Sequence, residues 1–236
     1  MWDKNQQHTR IKLCLFEYLE AAYEASYCGA DALGFHILKS NGENWKDKLQ
    51  KFKSIISHLP ETIEKVLLID YDLTIVAECM NTAAFDSIQL YPDCSTEEIV
   101  ELRGRINRPV KILKVLSAQA WENSPPDFED FILKYSDCVD AFLLDSCREG
   151  GSGKTADFTL SAAIVKESPL PVFLAGGLNA ANITEAISTV HPFGVDVETG
   201  VSSFVEGVGL IKNLAKCYEF VAAVKNTDGI LYNDPK

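Results

Sequence analysis

The 236-residue chain has no long hydrophobic run and no closely spaced pair of cysteines. No apolar stretch approaches the roughly 20 residues that a membrane-spanning helix needs, and the polar residues 1–10 lack the apolar core of a signal peptide. We therefore expect a cytoplasmic protein with no membrane partner. Its seven cysteines are widely spaced, which predicts neither a disulfide framework nor a metal site and indicates that most thiols are small buried side chains.

Positive charge is also scarce. Lys and Arg number 22 against 34 Asp and Glu, which gives a net charge of −12. Because nucleic-acid-binding proteins normally present a basic face, we expect no nucleic-acid partner. The acidity does not exclude a phosphorylated small molecule, since a local group of backbone N–H donors binds an anion whatever the overall charge.

Short apolar runs alternate with longer amphipathic ones along the whole chain. Strands are predicted near residues 11–14, 32–35, 65–69, 87–90, 110–115, 141–144, 171–174 and 194–197. Helices are predicted near residues 17–27, 45–59, 73–81, 96–106, 128–135, 160–166, 180–188 and 205–224. Each strand is apolar on both faces, which is typical of a parallel sheet covered by helices.

Eight strand–helix units in a chain of this length predict an α/β fold, a single (βα)8 TIM barrel with a parallel eight-stranded core. We expect one domain over residues 1–236, with residues 1–10 and 226–236 as frayed ends. A doubly wound open sheet is the alternative, but it would leave at least one strand more exposed, and no unit has that character.

Three glycine-marked turns follow the last three strands and indicate a phosphate site. They are Gly150–Thr155, Gly176–Leu178 and Glu198–Ser202. Any one of them could be an ordinary strand-to-helix connection, but together they offer free backbone N–H groups to an anion. The predicted binding residues in these turns are Gly151, Ser152, Gly153, Gly176, Gly177, Thr199 and Gly200.

Polar residues at the carboxyl ends of other strands are candidates for chemistry, because that end of a barrel carries the active site. Cys14 is either a base or a buried structural thiol, and Asp145 is either a general acid or a loop cap. His36 could titrate near neutral pH or serve a structural role. The remaining candidates depend on strand phase or on local hydrogen bonding; they are Lys12, Lys114 and Gln89.

The chain resembles the phosphoribosylanthranilate isomerase family of tryptophan biosynthesis over nearly its whole length. The motifs that carry the resemblance are Lys12-Leu-Cys14, Ile88–Pro92, Leu143–Asp145, Gly150–Thr155, Gly176–Leu178 and Val195–Val201. The resemblance implies an Amadori rearrangement of a phosphorylated sugar-type substrate without metal or cofactor, in a monomer or homodimer. It implies Cys14 as general base, Asp145 as general acid, and Asp196 with the glycine turns as the groups that hold the phosphate and sugar hydroxyls.

Three positions depart from the family pattern. Leu15 replaces the glycine after the cysteine, Tyr91-Pro92 replaces His-Gly, and residues 37–45 lack the Ser-x-Arg motif whose arginine holds the anthranilate carboxylate. Lys39 is the predicted replacement for that charge, although an ammonium lacks the bidentate fork of a guanidinium. These departures leave two alternatives open: an enzyme for another phosphosugar, and a phosphate-ligand binding protein without catalysis.

Overall fold

Eight parallel strands close into a barrel in the order β1 to β8, with β8 paired to β1. The computed structural model describes residues 2, 8–39, 42, 44–91, 94–117, 126–145 and 158–233. The barrel strands are β1 (Arg10–Leu13), β2 (Ala32–Ile37), β3 (Glu64–Ile69), β4 (Ser87–Leu90), β5 (Lys111–Ser117), β6 (Ala141–Asp145), β7 (Val172–Ala175) and β8 (Gly194–Val197). The closed barrel confirms the predicted fold class and excludes the open sheet.

Helices follow the strands and cover the outside of the barrel. They are α1 (Leu19–Ala25), α2 (Trp45–Ile56), α3 (Leu73–Thr82), α4 (Thr96–Arg105), α5 (Pro126–Ser136), α6 (Phe158–Glu167), α7 (Ile183–Val190) and α8 (Leu214–Asn233). Local chemistry sets several starts: the Asp72 carboxylate caps α3, and Ser95 with Glu98 forms a capping box at α4. None of the described helices is both long and apolar enough to cross a membrane.

Alternate residues of each strand face the barrel interior or the helices. One interior cluster contains Cys14, Ala32, Val66 and Leu68, and a second contains Leu113, Ala141, Leu143 and Phe173. The residues between them, such as Leu67, belong to the large core between sheet and helices. This strict alternation decides which side chains of a strand can reach the barrel mouth.

The amino-terminal end of the barrel is closed by a polar network around Glu64. Its carboxylate accepts hydrogen bonds from Trp2 Nε1 at 3.0 Å and from Ser87 Oγ at 2.7 Å, and Arg10 Nη2 lies 3.5 Å away. The Trp2 ring packs edge-on against Phe173 with centroids 5.5 Å apart. The opposite, carboxyl-terminal end is therefore the open one.

The predicted helix over residues 205–224 is wrong in its first half. Residues Ser202–Val205 (β9) and Gly209–Lys212 (β10) form an antiparallel hairpin, and α8 begins only at Leu214. The turn contains Gly207 and Gly209 at φ 76° and 96°, in the left-handed region that glycine adopts at no steric cost.

The prediction that residues 226–236 are a frayed end is also wrong up to Asn233, where α8 ends. The cause is a tertiary contact that local composition does not show. Buried Asp228 accepts hydrogen bonds from the backbone N–H of Thr9 at 2.8 Å and from its Oγ1 at 2.7 Å. The contact fixes the helix to the residue that precedes β1.

Candidate active site

A buried trio of charged and polar side chains lies at the junction of β1 and β8. Lys12 is paired in register with Asp196, and Cys14 follows two residues later on the same interior face. Lys12 Nζ lies 2.8 Å from Asp196 Oδ1 and within hydrogen-bond distance of Cys14 Sγ. The Cys14 thiol donates to the same Asp196 Oδ1 at 3.0 Å, so one carboxylate oxygen connects both neighbours.

The surroundings of this trio fix its charge state. Burial, followed by the negative charge of Asp196, raises the pKa of the Cys14 thiol well above its ordinary value, although Lys12 opposes the shift. Burial alone would lower the pKa of Lys12, but the attraction of Asp196 and Cys14 raises it overall. At neutral pH Lys12 is therefore an ammonium and Cys14 a protonated thiol.

Gly34 on β2 makes room for the Cys14 side chain. A Cβ at Gly34 would lie 2.5 Å from Cys14 Sγ and 2.8 Å from a Leu68 methyl carbon, closer than real side-chain contacts allow. The neighbouring strand thus has to carry glycine for the thiol to occupy this position.

The barrel mouth contains two compartments, and the one that we call the first compartment is a cavity of about 440 Å³. Asp145 from the end of β6 and Asp196 from β8 both line it, as does Gln89 from β4. Gln89 Nε2 donates to Tyr91 Oη at 2.8 Å, while its buried Oε1 has no hydrogen-bond partner among the described residues. Glu198 lines it as well, so the compartment offers three acidic side chains and an amide acceptor to a polar molecule.

Glycine backbone forms one wall of the first compartment. Gly176 and Gly177 follow β7 with φ of 97° and 64°, and Thr199 lies beside them at the end of β8. Gly200 packs against this turn so closely that a Cβ there would overlap the carbonyl oxygen of Leu178. Two strand-to-helix connections thus meet backbone to backbone at this wall.

The second compartment is a more open cavity of about 600 Å³ beside the first. Its residues come from the loop after β1, from β2, from α2 and from the β9–β10 hairpin; they include Leu15, Glu17, His36, Lys48, Val208 and Leu210. Tyr91, Glu198 and Leu210 line both compartments, so the two form one continuous cleft. A separate cavity of about 660 Å³ lies among Arg103, Lys111 and Asp140, away from the mouth, where those cations are ion-paired to Asp140.

His36 is buried between the two compartments and is neutral. Burial and then the positive charges of Lys12, Lys48 and Lys212 lower its pKa to about 3. Its Nε2 lies 3.3 Å from Glu198 Oε2 without hydrogen-bond geometry, so this close approach is not a formed bond. Burial, followed by the charge of Asp196, raises the pKa of Glu198.

Comparison with known proteins agrees with this architecture. The family model for N-(5'-phosphoribosyl)anthranilate isomerase matches residues 11–223. The chain belongs to the phosphoribosylanthranilate isomerase family. N-(5'-phosphoribosyl)anthranilate isomerase 2 of Methanosarcina mazei is 33% identical over 92% of this chain and 94% of that protein. The Bacillus cereus isomerase is 33% identical over 91% of this chain and 98% of that protein.

Solved structures of the family share the barrel. The Thermotoga maritima isomerase superposes with a TM-score of 0.74 at 25% identity, covering 92% of this chain and 99% of that one. The Pyrococcus furiosus isomerase gives a TM-score of 0.72 at 26% identity, covering 93% and 100%.

Most of the predicted site residues come together at the mouth. Lys12, Cys14 and Asp196 are in direct contact, and Asp145, Gln89, Gly176, Gly177 and Thr199 line the first compartment beside them. His36 lines the second compartment, and Gly200 supports the glycine wall from behind. Gly151, Ser152 and Gly153 lie outside the described residues, as does Cys147.

Two predicted lysines do not reach this cleft. Lys114 lies on the helix-facing side of β5, with Nζ 5.8 Å from the centre of the Tyr135 ring of α5. The prediction that it enters the mouth is wrong because the strand phase places Leu113 and Val115 inside instead. Lys39 is exposed, with its ammonium 5.4 Å from the centre of the Tyr71 ring, and it lines neither compartment.

Sequence reasoning missed Glu198, Lys48 and the hairpin residues Val208 and Leu210. Glu198 could have been found, because it follows Asp196 by two positions and so shares its interior face. Val208 and Leu210 were hidden by the wrong helix prediction. Lys48 reaches the cleft from α2, about ten residues beyond the strand end, and no local pattern marks it.

Leu15 is one of two described non-glycine residues with a positive φ. Its φ is 70°, in the left-handed region that costs a branched side chain roughly 1–2 kcal/mol. The turn after β1 therefore has a backbone conformation that suits glycine, and the leucine side chain lines the second compartment. The six described cysteines are all buried, and no group of described His, Cys, Asp or Glu residues could hold a metal ion.

Proposed function

We propose that this chain catalyses the isomerisation of N-(5'-phosphoribosyl)anthranilate to the corresponding 1-deoxyribulose phosphate. The observation that carries the proposal is the first compartment, where Asp145 faces a cavity shared with Asp196, and Cys14 lies 3.0 Å behind Asp196. An acid and a base close to one sugar are what an aldose-to-ketose rearrangement requires. Family membership supports the same reaction.

The glycine wall is the proposed phosphate site. The turn Gly176-Gly177 and the adjacent Thr199 present backbone to the first compartment at the ends of two neighbouring strands. TIM barrels commonly bind phosphate after strands seven and eight, where N–H groups converge. Binding there would place the sugar between the wall and the trio of Lys12, Cys14 and Asp196.

Asp145 is the proposed general acid. It donates a proton to the ribose ring oxygen, the bond between C1 and that oxygen breaks, and the nitrogen lone pair forms a C1=N iminium. At the end of β6, Asp145 lies on the interior face of the barrel and lines the cavity. The product of this step is the open-chain form of the sugar, which stays bound through its phosphate.

Cys14 is the proposed general base. The thiol first passes its proton to Asp196 Oδ1, 3.0 Å from Sγ. The resulting thiolate removes the proton from C2; the electrons of that C–H bond form C1=C2, and the iminium electrons return to nitrogen. The enolamine then loses its hydroxyl proton and gains one at C1, which gives the ketone with all atoms of the substrate retained. Lys12, in contact with Sγ, is the group that stabilises the thiolate.

Gln89 and Asp196 are the proposed partners of the sugar hydroxyls. Gln89 Oε1 is buried at the cavity and has no partner among the described residues, so a hydroxyl donor of the substrate would satisfy it. We also propose a cytoplasmic location and a monomeric or homodimeric state, which fractionation and gel filtration would test.

The deciding experiment is a turnover assay with freshly made phosphoribosylanthranilate, followed by the loss of its fluorescence. Active wild-type protein together with a loss of about a hundredfold or more in kcat for Asp145→Ala and Cys14→Ala supports both the reaction and the two roles. Asp137→Ala, an exposed carboxylate after α5, is the matched control and should keep full activity. Full activity in Cys14→Ala refutes the base assignment, and a folded wild-type protein that turns over nothing refutes the reaction.

A further inference from the structure

The substrate of the proposed reaction carries a carboxylate on its aromatic ring, and the arginine of the family motif is missing here. We propose that Lys48 on α2 receives this ring carboxylate in the second compartment and is the specificity-determining residue for it. The inference rests on the proposed function, because it concerns how that substrate is recognised.

The position of Lys48 carries the argument. Its side chain is 6% exposed, yet it lines the second compartment beside Leu15 and His36. Among the described residues that line this compartment, Lys48 is the only lysine or arginine. Its charge also reaches the buried imidazole of His36, where it helps to lower the pKa. The Lys48 ammonium therefore lies beside the second compartment, where Glu17 is its carboxylate partner and the centre of the buried Phe52 ring is 5.7 Å away.

The charges nearest to Lys48 are those of Glu17 and Lys51, whereas the compartment as a whole is lined by one ammonium and three acidic side chains. Glu17 Oε1 lies 3.0 Å from Lys48 Nζ, and Glu17 Oε2 lies 2.9 Å from Lys51 Nζ, so two cations share one carboxylate. An ammonium carries three N–H donors, and an ion pair with Glu17 is compatible with a second carboxylate. The other acidic side chains of this compartment, Asp70 and Glu198, would repel a carboxylate placed elsewhere in it.

The walls next to Lys48 suit the rest of an anthranilate ring. Leu15 and Leu38 come from the loops after β1 and β2, and Val208 and Leu210 come from the hairpin. Val208 and Leu210 are 60% and 41% exposed, so a flat apolar ring would cover surface that is now in water. Lys39 is the competing cation, but it lies over Tyr71 and lines neither compartment.

The test compares two substrates that differ only in the carboxylate: phosphoribosylanthranilate and the phosphoribosyl derivative of aniline. We expect Lys48→Met to lower kcat/KM for the first compound by about tenfold or more, mainly through KM, and to change it little for the second. Lys48→Arg should restore most of the preference, because the charge is kept. Lys53→Met, an exposed lysine on the same helix, is the control and should leave both values unchanged.

The outcomes separate this inference from the proposed function. If the wild type turns over substrate and Lys48→Met shows the same preference between the two compounds, the role of Lys48 is refuted and the proposed function is not. An equal loss of activity toward both compounds in Lys48→Met has the same meaning. No turnover of either compound by folded wild type refutes the reaction and the inference with it. If Lys48→Met does not fold, Glu17→Gln supplies the test: removing the competing carboxylate should raise the preference for the anthranilate compound several-fold, and a fall overturns the proposal.

Discussion

The two compartments of the cleft differ in how closely they follow the family pattern. The first is built from strand ends and glycine backbone, and its residues Asp145, Gly176 and Asp196 match the motifs of the family. The second is built from a loop, a helix and a hairpin, and it contains the substitution Leu15 and the lysine Lys48. Under the proposed function, the compartment that receives the reacting sugar is the one built from the barrel itself, and the compartment that receives the aglycone is the one built from loop, helix and hairpin.

The largest effect is expected from Asp196→Asn in the first compartment. Removal of the carboxylate charge beside Sγ should lower the pKa of the Cys14 thiol, because Lys12 remains in contact with it. Loss of the shared acceptor should also lower kcat/KM about a hundredfold. The ultraviolet absorbance of the thiolate, measured against pH in the free protein, reports the first effect.

Cys14→Ser provides the background for that titration. The absorbance change assigned to Cys14 should be absent in Cys14→Ser and in the double variant with Asp196→Asn. If Asp196 only binds sugar hydroxyls, Asp196→Asn would raise KM and leave the pKa of the Cys14 thiol in the free protein unchanged. That result would refute the role of Asp196 in setting the protonation of Cys14.

The next effect concerns His36 in the second compartment. The pKa of His36 is about 3 in the folded protein, compared with 6.5 ordinarily. Between these two pH values the unfolded chain therefore binds a proton that the folded protein does not bind. The stability that neutral His36 contributes is therefore present above pH 6.5 and lost as pH falls toward 3, at about 1.4 kcal/mol per pH unit. His36→Gln should remove roughly 2 kcal/mol of the loss between pH 6.5 and 4.5.

Urea unfolding at several pH values measures this dependence. His58→Gln, which changes an exposed histidine after α2, is the matched control and should keep the wild-type acid sensitivity. An equal slope in wild type and His36→Gln would mean that the imidazole is protonated in the fold, which would place a positive charge between the compartments.

The barrel could be predicted from the sequence because its eight strands are local apolar runs that the helices between them separate. Strands β4 and β8 were predicted with their observed bounds, Ser87–Leu90 and Gly194–Val197. The hairpin of β9 and β10 was not predicted, because it depends on the positive φ of Gly207 and Gly209 inside an otherwise apolar segment. The order of α8 beyond Asn226 depends on Asp228 contacting Thr9, 219 positions away, which no local pattern contains.

The site residues divide in the same way, into those that local sequence patterns predict and those that depend on tertiary packing. Cys14, Asp145 and Asp196 could be placed because they end strands, and strand ends of a parallel barrel converge. The sequence could not predict which face of β5 carries Lys114, because that depends on strand register. It could not predict that Lys48 reaches the cleft either, because that depends on how α2 packs. Sequence therefore predicted the first compartment far better than the second.

A smaller effect is expected from Gly200→Ala, which disturbs the glycine wall. The new methyl would overlap the carbonyl oxygen of Leu178, and backbone does not yield as a flexible side chain does. We expect KM for the phosphorylated substrate to rise about tenfold with kcat much less affected. Gly104→Ala on α4 is the control, because a Cβ there meets nothing within 4 Å and alanine favours a helix. An unchanged KM would move the phosphate site away from this wall.

The smallest effect concerns the backbone at Leu15, and it tests whether the second compartment kept a glycine turn under a new side chain. Leu15→Ala retains the left-handed strain at φ 70°, whereas Leu15→Gly relieves it, so the glycine variant should be more stable than the alanine variant by about 0.5–1 kcal/mol. At Lys53, an exposed residue inside α2, the order of the same two substitutions should be reversed, because alanine is favoured over glycine in a helix. Both pairs can be compared by urea unfolding at neutral pH. The same order at the two positions would show that the turn after β1 no longer needs glycine geometry, and that the family backbone changed together with the side chain.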